Sequence, residues 1–288
     1  MSQGSLAIVL MLSATLGLAG CAPAPPTDTY GAGGGIEVSV VQGRDDRGAR
    51  IVAIEITNHR DDAIDVNRAA LSGAQLREPA VWDRGTTLRP GLTVDLRVQL
   101  GAPACPLADN LTPSVTVEFT TARGDERTVS GEPGQPSGVL TRLAGEDCLI
   151  EAVNGQAQIN VRTVEYEPGA HQPAVLVIAV QPADVDGRVT LVAVTATVLL
   201  ALVDPDGHHS QRYELGRVLE RGGDSSDLRI ALVPNRCDAH AVAEDKRGTF
   251  IPFEVTSDAG LAGTYFVRVP DDEKGKLYAF YADYCQVD

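Results

Sequence analysis

Five cysteines, five histidines and several Asp-rich turns are the side chains of this 288-residue chain whose types could carry chemistry. Four of the cysteines form two spaced sets: Cys105 with Cys148, 43 residues on, and Cys237 with Cys285, 48 residues on. Such residues can form bridges, bind zinc or act as nucleophiles. There is no Cys-x-x-Cys, and Cys237-x-x-His240 has no partner pair, which argues against zinc. Bridging is therefore the expected use of these four, which leaves none of them for nucleophilic work. Cysteine number alone permits three pairings of the four.

The other candidates are weaker. His208-His209 sits in Asp204-Pro205-Asp206-Gly207, and a similar Asp184-x-Asp186-Gly187 lies upstream. Carboxylates with imidazoles can hold a metal, so the segments 184–187 and 204–209 are the places where capture of a metal or solute would occur. However, adjacent side chains diverge on a strand. Neither segment has the third acidic ligand or distal Glu of a calcium loop. Asp-Gly also marks hairpin turns. We expect turns here, with no metal and no cofactor. His59, His171 and His240 are isolated and read as surface residues.

No catalytic residue is assigned, and an enzyme is not expected. Gly-x-Ser-x-Gly and Ser-x-x-Lys are both missing. Gly223-Asp224-Ser225-Ser226-Asp227 precedes a strand pattern instead of a helix, so it reads as a polar turn. A cell-envelope hydrolase with paired carboxylates stays as a further alternative, but nothing singles out two of the 39 acidic residues. Tyr265, Phe266, Tyr278, Phe280, Tyr281 and Tyr284 gather near the C-terminal end. They could form an exposed platform for a sugar or protein; packing of a second domain around Cys285 is the preferred reading.

The elements that position the cysteines show an internal repeat. Asp95-Leu96-Arg97-Val98-Gln99-Leu100 leads to Cys105, and Asp227-Leu228-Arg229-Ile230-Ala231-Leu232 leads to Cys237. Asp, Leu, Arg, Leu and Cys coincide, and apolar residues alternate with the period of a half-buried strand. A duplicated domain follows, and it favours the bridges 105–148 and 237–285. The expected domains are 36–150 and 151–288, divided near 151–157, where Val-Asn-Gly-Gln-Ala supplies turn residues.

Strand patterns occupy 36–41, 51–57, 93–100, 114–121, 158–166, 174–181, 189–203, 227–233, 249–256 and 263–269, with turn clusters between them. The segment 189–203 is too long for one strand and should be divided by a bend or bulge. Helices are expected at 238–246, with Asp238 as N-cap, and at 272–284, with a shorter one at 137–143. The fold class is mainly β, two tandem antiparallel sandwiches with a few short helices. This resembles the tandem immunoglobulin-like domains of bacterial surface proteins, without the Trp between paired cysteines that marks antibody domains, since Trp82 is the one tryptophan.

Residues 1–20 carry no charged side chain, and 6–19 form an apolar run too short to span a membrane, as expected of a secretory signal. The run ends in Leu18-Ala19-Gly20-Cys21, which resembles the lipobox of bacterial lipoproteins and, with the tandem domains, actinobacterial envelope lipoproteins. The resemblance implies cleavage after Gly20 and a lipid, palmitate among its acyl chains, on Cys21. Residues 1–5 lack the Lys or Arg of a signal n-region, which implies an upstream start or inefficient export. The Pro/Gly-rich stretch 21–35 is expected to be a flexible tether. The expected location is the extracytoplasmic membrane face, with an envelope protein or cell-wall partner. A net charge of −15 gives no electrostatic footprint for nucleic acid.

Overall fold

A computed structural model describes residues 27–28, 35–108, 111–135, 137–169, 171–245 and 249–286. Cys21, the signal run and most of the stretch 21–35 lie outside the described residues.

The first sandwich contains β1 (Thr27–Asp28), β2 (Ile36–Val41), β3 (Ile51–Asn58), β4 (Ile64–Ser72), β5 (Ala80–Trp82), β6 (Thr86–Leu88), β7 (Thr93–Gln99), β8 (Ser114–Thr121) and β9 (Glu126–Gly131). One sheet runs β2-β3-β7 and the other β1-β9-β8-β4-β5, with β6 also on β4. Helix α1 (Val139–Gln156) follows. The second sandwich contains β10 (Ala157–Glu165), β11 (Ala174–Pro182), β12 (Arg188–Thr195), β13 (Leu200–Val203), β14 (His209–Ser210), β15 (Arg212–Glu220), β16 (Ser226–Pro234), α2 (Ala239–Glu244), β17 (Phe250–Ser257), β18 (Ala262–Arg268) and α3 (Asp271–Cys285). Its sheets run β10-β11-β16-β13-β14 and β15-β12-β17-β18.

The two sandwiches share one plan. In each, the third long strand crosses to the opposite sheet and the last hairpin is followed by a helix. Inward-facing apolar residues fill both interiors, such as Ile54, Leu96 and Phe119 in the first and Leu176, Leu191 and Phe253 in the second. This is a mainly β chain of immunoglobulin-like sandwiches.

Equivalent irregularities recur. β4 carries a bulge between Val66 and Arg68 opposite Phe119 and Glu118 of β8. β12 carries one between Leu191 and Ala193 opposite Val255 and Glu254 of β17. The closing hairpins match bond for bond. Gly124 N–H donates to Thr121 and Gly260 N–H to Ser257. Asp125 N–H donates to Thr121 Oγ1, and Leu261 N–H to Ser257 Oγ. Gly124 and Gly260 both take positive φ, at 86° and 79°.

Two expectations are corrected and one is met. The stretch 137–143 is only the start of α1, which runs on to Gln156, so Asn154-Gly155 lies in its last turn and not in a loop. Residues 189–203 are divided as expected, by a bend at 198–199 between β12 and β13, and the two strands belong to different sheets. The stretch 21–35 is not coil throughout: Thr27 and Asp28 pair with Thr128 and Val129 of β9.

α1 belongs to both interiors. Val139, Leu140 and Leu143 pack in the first core, and Leu149 and Val153 in the second. At 100° per residue these two sets point about 105° apart around the helix axis. The chain thus passes from one sandwich to the next along a single half-buried helix.

Candidate functional site

The cysteines are brought together as the repeat implied. Cys105 bonds Cys148 and Cys237 bonds Cys285, with Cα separations of 5.6 and 5.3 Å. Each bridge ties the segment after β7 or β16 to the helix that ends its sandwich. Two such bridges belong to an oxidising, extracytoplasmic compartment. Among the described residues no helix is long and apolar enough to cross a membrane.

Each bridge has a second lock beside it. In the first sandwich Arg50, at φ 52°, bonds Asp147, the residue before Cys148. Arg50 Nη1 also donates to Gly101 O at 2.7 Å. Burial pushes the Asp147 carboxyl above its ordinary value, against the pull of the Arg50 guanidinium. In the second sandwich His171, at φ 49°, packs edge-on against Tyr284, the residue before Cys285, with ring centroids 6.2 Å apart. The residue before the second cysteine is held in both sandwiches, by an ion pair in the first and a ring contact in the second.

The C-terminal aromatics are mostly structural. Phe280 and Tyr281 are buried, and Phe280 stacks between Tyr166 and Tyr284. Tyr281 Oη accepts from Asp238 N–H at 3.1 Å and lies 2.9 Å from Arg236 O, which fixes the turn around Cys237. Tyr278 donates to Asp245 at 3.1 Å. Burial, then the charge and hydrogen bond of Asp245, push its phenol up to about 12. Only Phe266 of this group is well exposed.

The acidic turns separate. Asp184 and Asp186 both engage Arg221, at 3.2 and 3.3 Å, so one guanidinium is shared between the two carboxylates. Asp204, Asp206 and His208 do converge, with ligand-type atoms within 4.8 Å of one another. Asp204 Oδ1 accepts from His208 N–H at 2.8 Å and Asp206 N–H at 3.0 Å. Those donors, His208 first, hold its carboxyl below the ordinary value. His209 instead enters β14, so the adjacent imidazoles do not act as a pair. The geometry is that of a side-chain-closed turn. A shallow cavity of about 160 Å³ beside it is lined by Val203, Asp204, Tyr213 and Arg229.

No family model and no curated protein matches the chain. Solved structures similar in part include the archaellum periplasmic stator complex FlaF and FlaG from Sulfolobus acidocaldarius. That match has 16% identity and a TM-score of 0.22, over 42% of this chain and 98% of that one. Red sea bream transglutaminase matches at 9% identity and TM-score 0.23, over 82% of this chain and 31% of that one. The YadV chaperone matches at 11% identity and TM-score 0.19, over 81% of this chain and all of that one. Likeness of this degree carries no functional argument.

Proposed function

We propose that this is a lipid-anchored, non-catalytic protein of the extracytoplasmic membrane face, whose sandwiches serve contacts with an envelope protein or the cell wall. One observation carries the reading. Four of the five cysteines are consumed in two disulfides, which leaves Cys21, the residue that closes Leu18-Ala19-Gly20-Cys21 behind the apolar run. A secreted chain with an odd cysteine needs a use for it, and acylation is one.

The test is metabolic labelling of the full chain with palmitate in a bacterial host, followed by fractionation. Label in the membrane fraction, lost in Cys21→Ser, supports the anchor; an unlabelled chain overturns it. A pull-down from membranes with the lipidated protein then identifies the partner. Hydrolysis of an ester, peptide or glycoside by the purified protein, abolished by one serine or carboxylate substitution, would replace the non-catalytic reading.

A second reading, metal capture, is favoured by the grouping of Asp204, Asp206 and His208. Calorimetric titration with calcium, zinc and copper decides it. No heat and no shift in melting temperature removes it.

A further inference from the structure

Each sandwich ends in a hairpin whose last strand leaves one edge for another segment to cover. β18 pairs with β17, and β9 pairs with β8. An open edge of this kind is a template for unwanted strand pairing, and folded proteins cover it. In the second sandwich the cover is α1: Tyr265 Oη donates to Asn154 Oδ1 at 2.7 Å, and Leu149 lies against Gly263. In the first, β1 occupies the corresponding edge, in parallel, with Thr27 opposite Thr128 and Asp28 opposite Val129.

The hairpin registers make these two sites equivalent. Val117 faces Val129 as Phe253 faces Tyr265. Thr128-Val129 is therefore the counterpart of Thr264-Tyr265. In both sandwiches the cover comes from the segment of chain that leads into that sandwich: β1 precedes β2, and α1 precedes β10. The first sandwich is drawn together at the same place a second time. Beyond β9, Gly134 exchanges two main-chain bonds with β2, Val40 N–H to Gly134 O at 2.8 Å and Gly134 N–H to Val38 O at 2.9 Å.

We propose that the leader around Thr27–Asp28 is a built-in edge strand of the first sandwich, an intramolecular clamp on β9 and not a free tether. Its occupant role is main-chain pairing, so the backbone N–H groups of residues 27 and 28 matter. The membrane consequence rests on the lipid reading above. With Cys21 acylated, only residues 22–26 separate the lipid from the clamped strand, and at full extension that holds the first sandwich within about 20 Å of the bilayer.

Hydrogen exchange followed by mass spectrometry on the full chain tests the clamp. Replacing both leader residues by proline, Thr27→Pro with Asp28→Pro, removes their N–H groups. We expect at least about tenfold faster exchange in peptides covering 126–131, with the β17–β18 hairpin unchanged as internal control. The pair Thr27→Ala with Asp28→Ala keeps the backbone donors and should exchange like the parent. Unchanged β9 exchange in the proline variant overturns the proposal, as does equal acceleration in the alanine variant. Because the readout does not depend on acylation, loss of the lipid reading and loss of the clamp are separate results.

Discussion

Leu149 of α1 lies against Gly263 of β18, where a Cβ at the glycine would come within 3.1 Å of Leu149 Cδ2. That close approach is what lets a helix from the first sandwich enter the interior of the second. Gly263→Val should wedge the helix away and destabilise the second sandwich by about 1–3 kcal/mol. Leu149→Ala should lower stability by about 2–4 kcal/mol through the cavity it leaves. Urea denaturation of both variants measures this, and a midpoint equal to the parent's would contradict the contact.

Arg50 is the polar counterpart of that contact. Its removal leaves the half-buried Asp147 without its cation and Gly101 O without a donor. Arg50→Ala should destabilise by on the order of 2–3 kcal/mol. The pH dependence has a definite sign. A carboxyl raised by burial binds its proton more tightly in the folded state, so its contribution falls as pH rises through the raised value. Without Arg50 that fall should steepen, which denaturation between acid and neutral pH would register.

Tyr278 gives an optical reading of the packing around α3. Its phenol is pushed up to about 12, first by burial and then by Asp245. A raised phenol favours the folded state below its unfolded value, and that contribution is lost as pH rises through about 12. Asp245→Asn removes the neighbouring charge and should lower the ionisation midpoint, followed by ultraviolet difference absorbance. A midpoint that does not move would dissociate Tyr278 from Asp245.

The two bridges should matter to similar degrees. They close segments of 43 and 48 residues, each worth roughly 4 kcal/mol on a chain-entropy basis. Replacing either pair by serine should lower the thermal midpoint measurably under oxidising conditions. The parent in reductant should resemble the variant lacking both.

Much of this architecture is legible in the sequence because its signals are local or repeated. The alternation of Leu96, Val98 and Leu100, repeated at Leu228, Ile230 and Leu232, locates β7 and β16 and thereby the cysteine pairing. The N-cap Asp238 accepts from His240 and Ala241 N–H as its residue type suggests. What escapes sequence reading is set by tertiary contact. α1 shows no single apolar face, since its two halves are buried on different sides by different cores. β4 changes the parity of its inward residues at its bulge, which interrupts the alternation. β15 is an edge strand whose alternation of Tyr213, Leu215 and Leu219 is interrupted at Gly216-Arg217, with Gly216 at φ 58°. The convergence of Asp204 with His208 is visible as an Asp-Pro-Asp-Gly turn, whereas the capture of Asp184 and Asp186 by Arg221 depends on a turn residue 35 positions on or more.

The bridge at Cys148 also determines how the protein bears load. It sits partway along α1, and it closes the path from Cys105 through β8, β9 and the first turns of that helix. A pull applied between the two sandwiches therefore bypasses those 43 residues, removing about 150 Å of extensible contour from the oxidised chain. Between the bridge and β10 only residues 149–156 can lengthen. The joint between the domains behaves as a short strut with a stop, stiff until its last two turns yield.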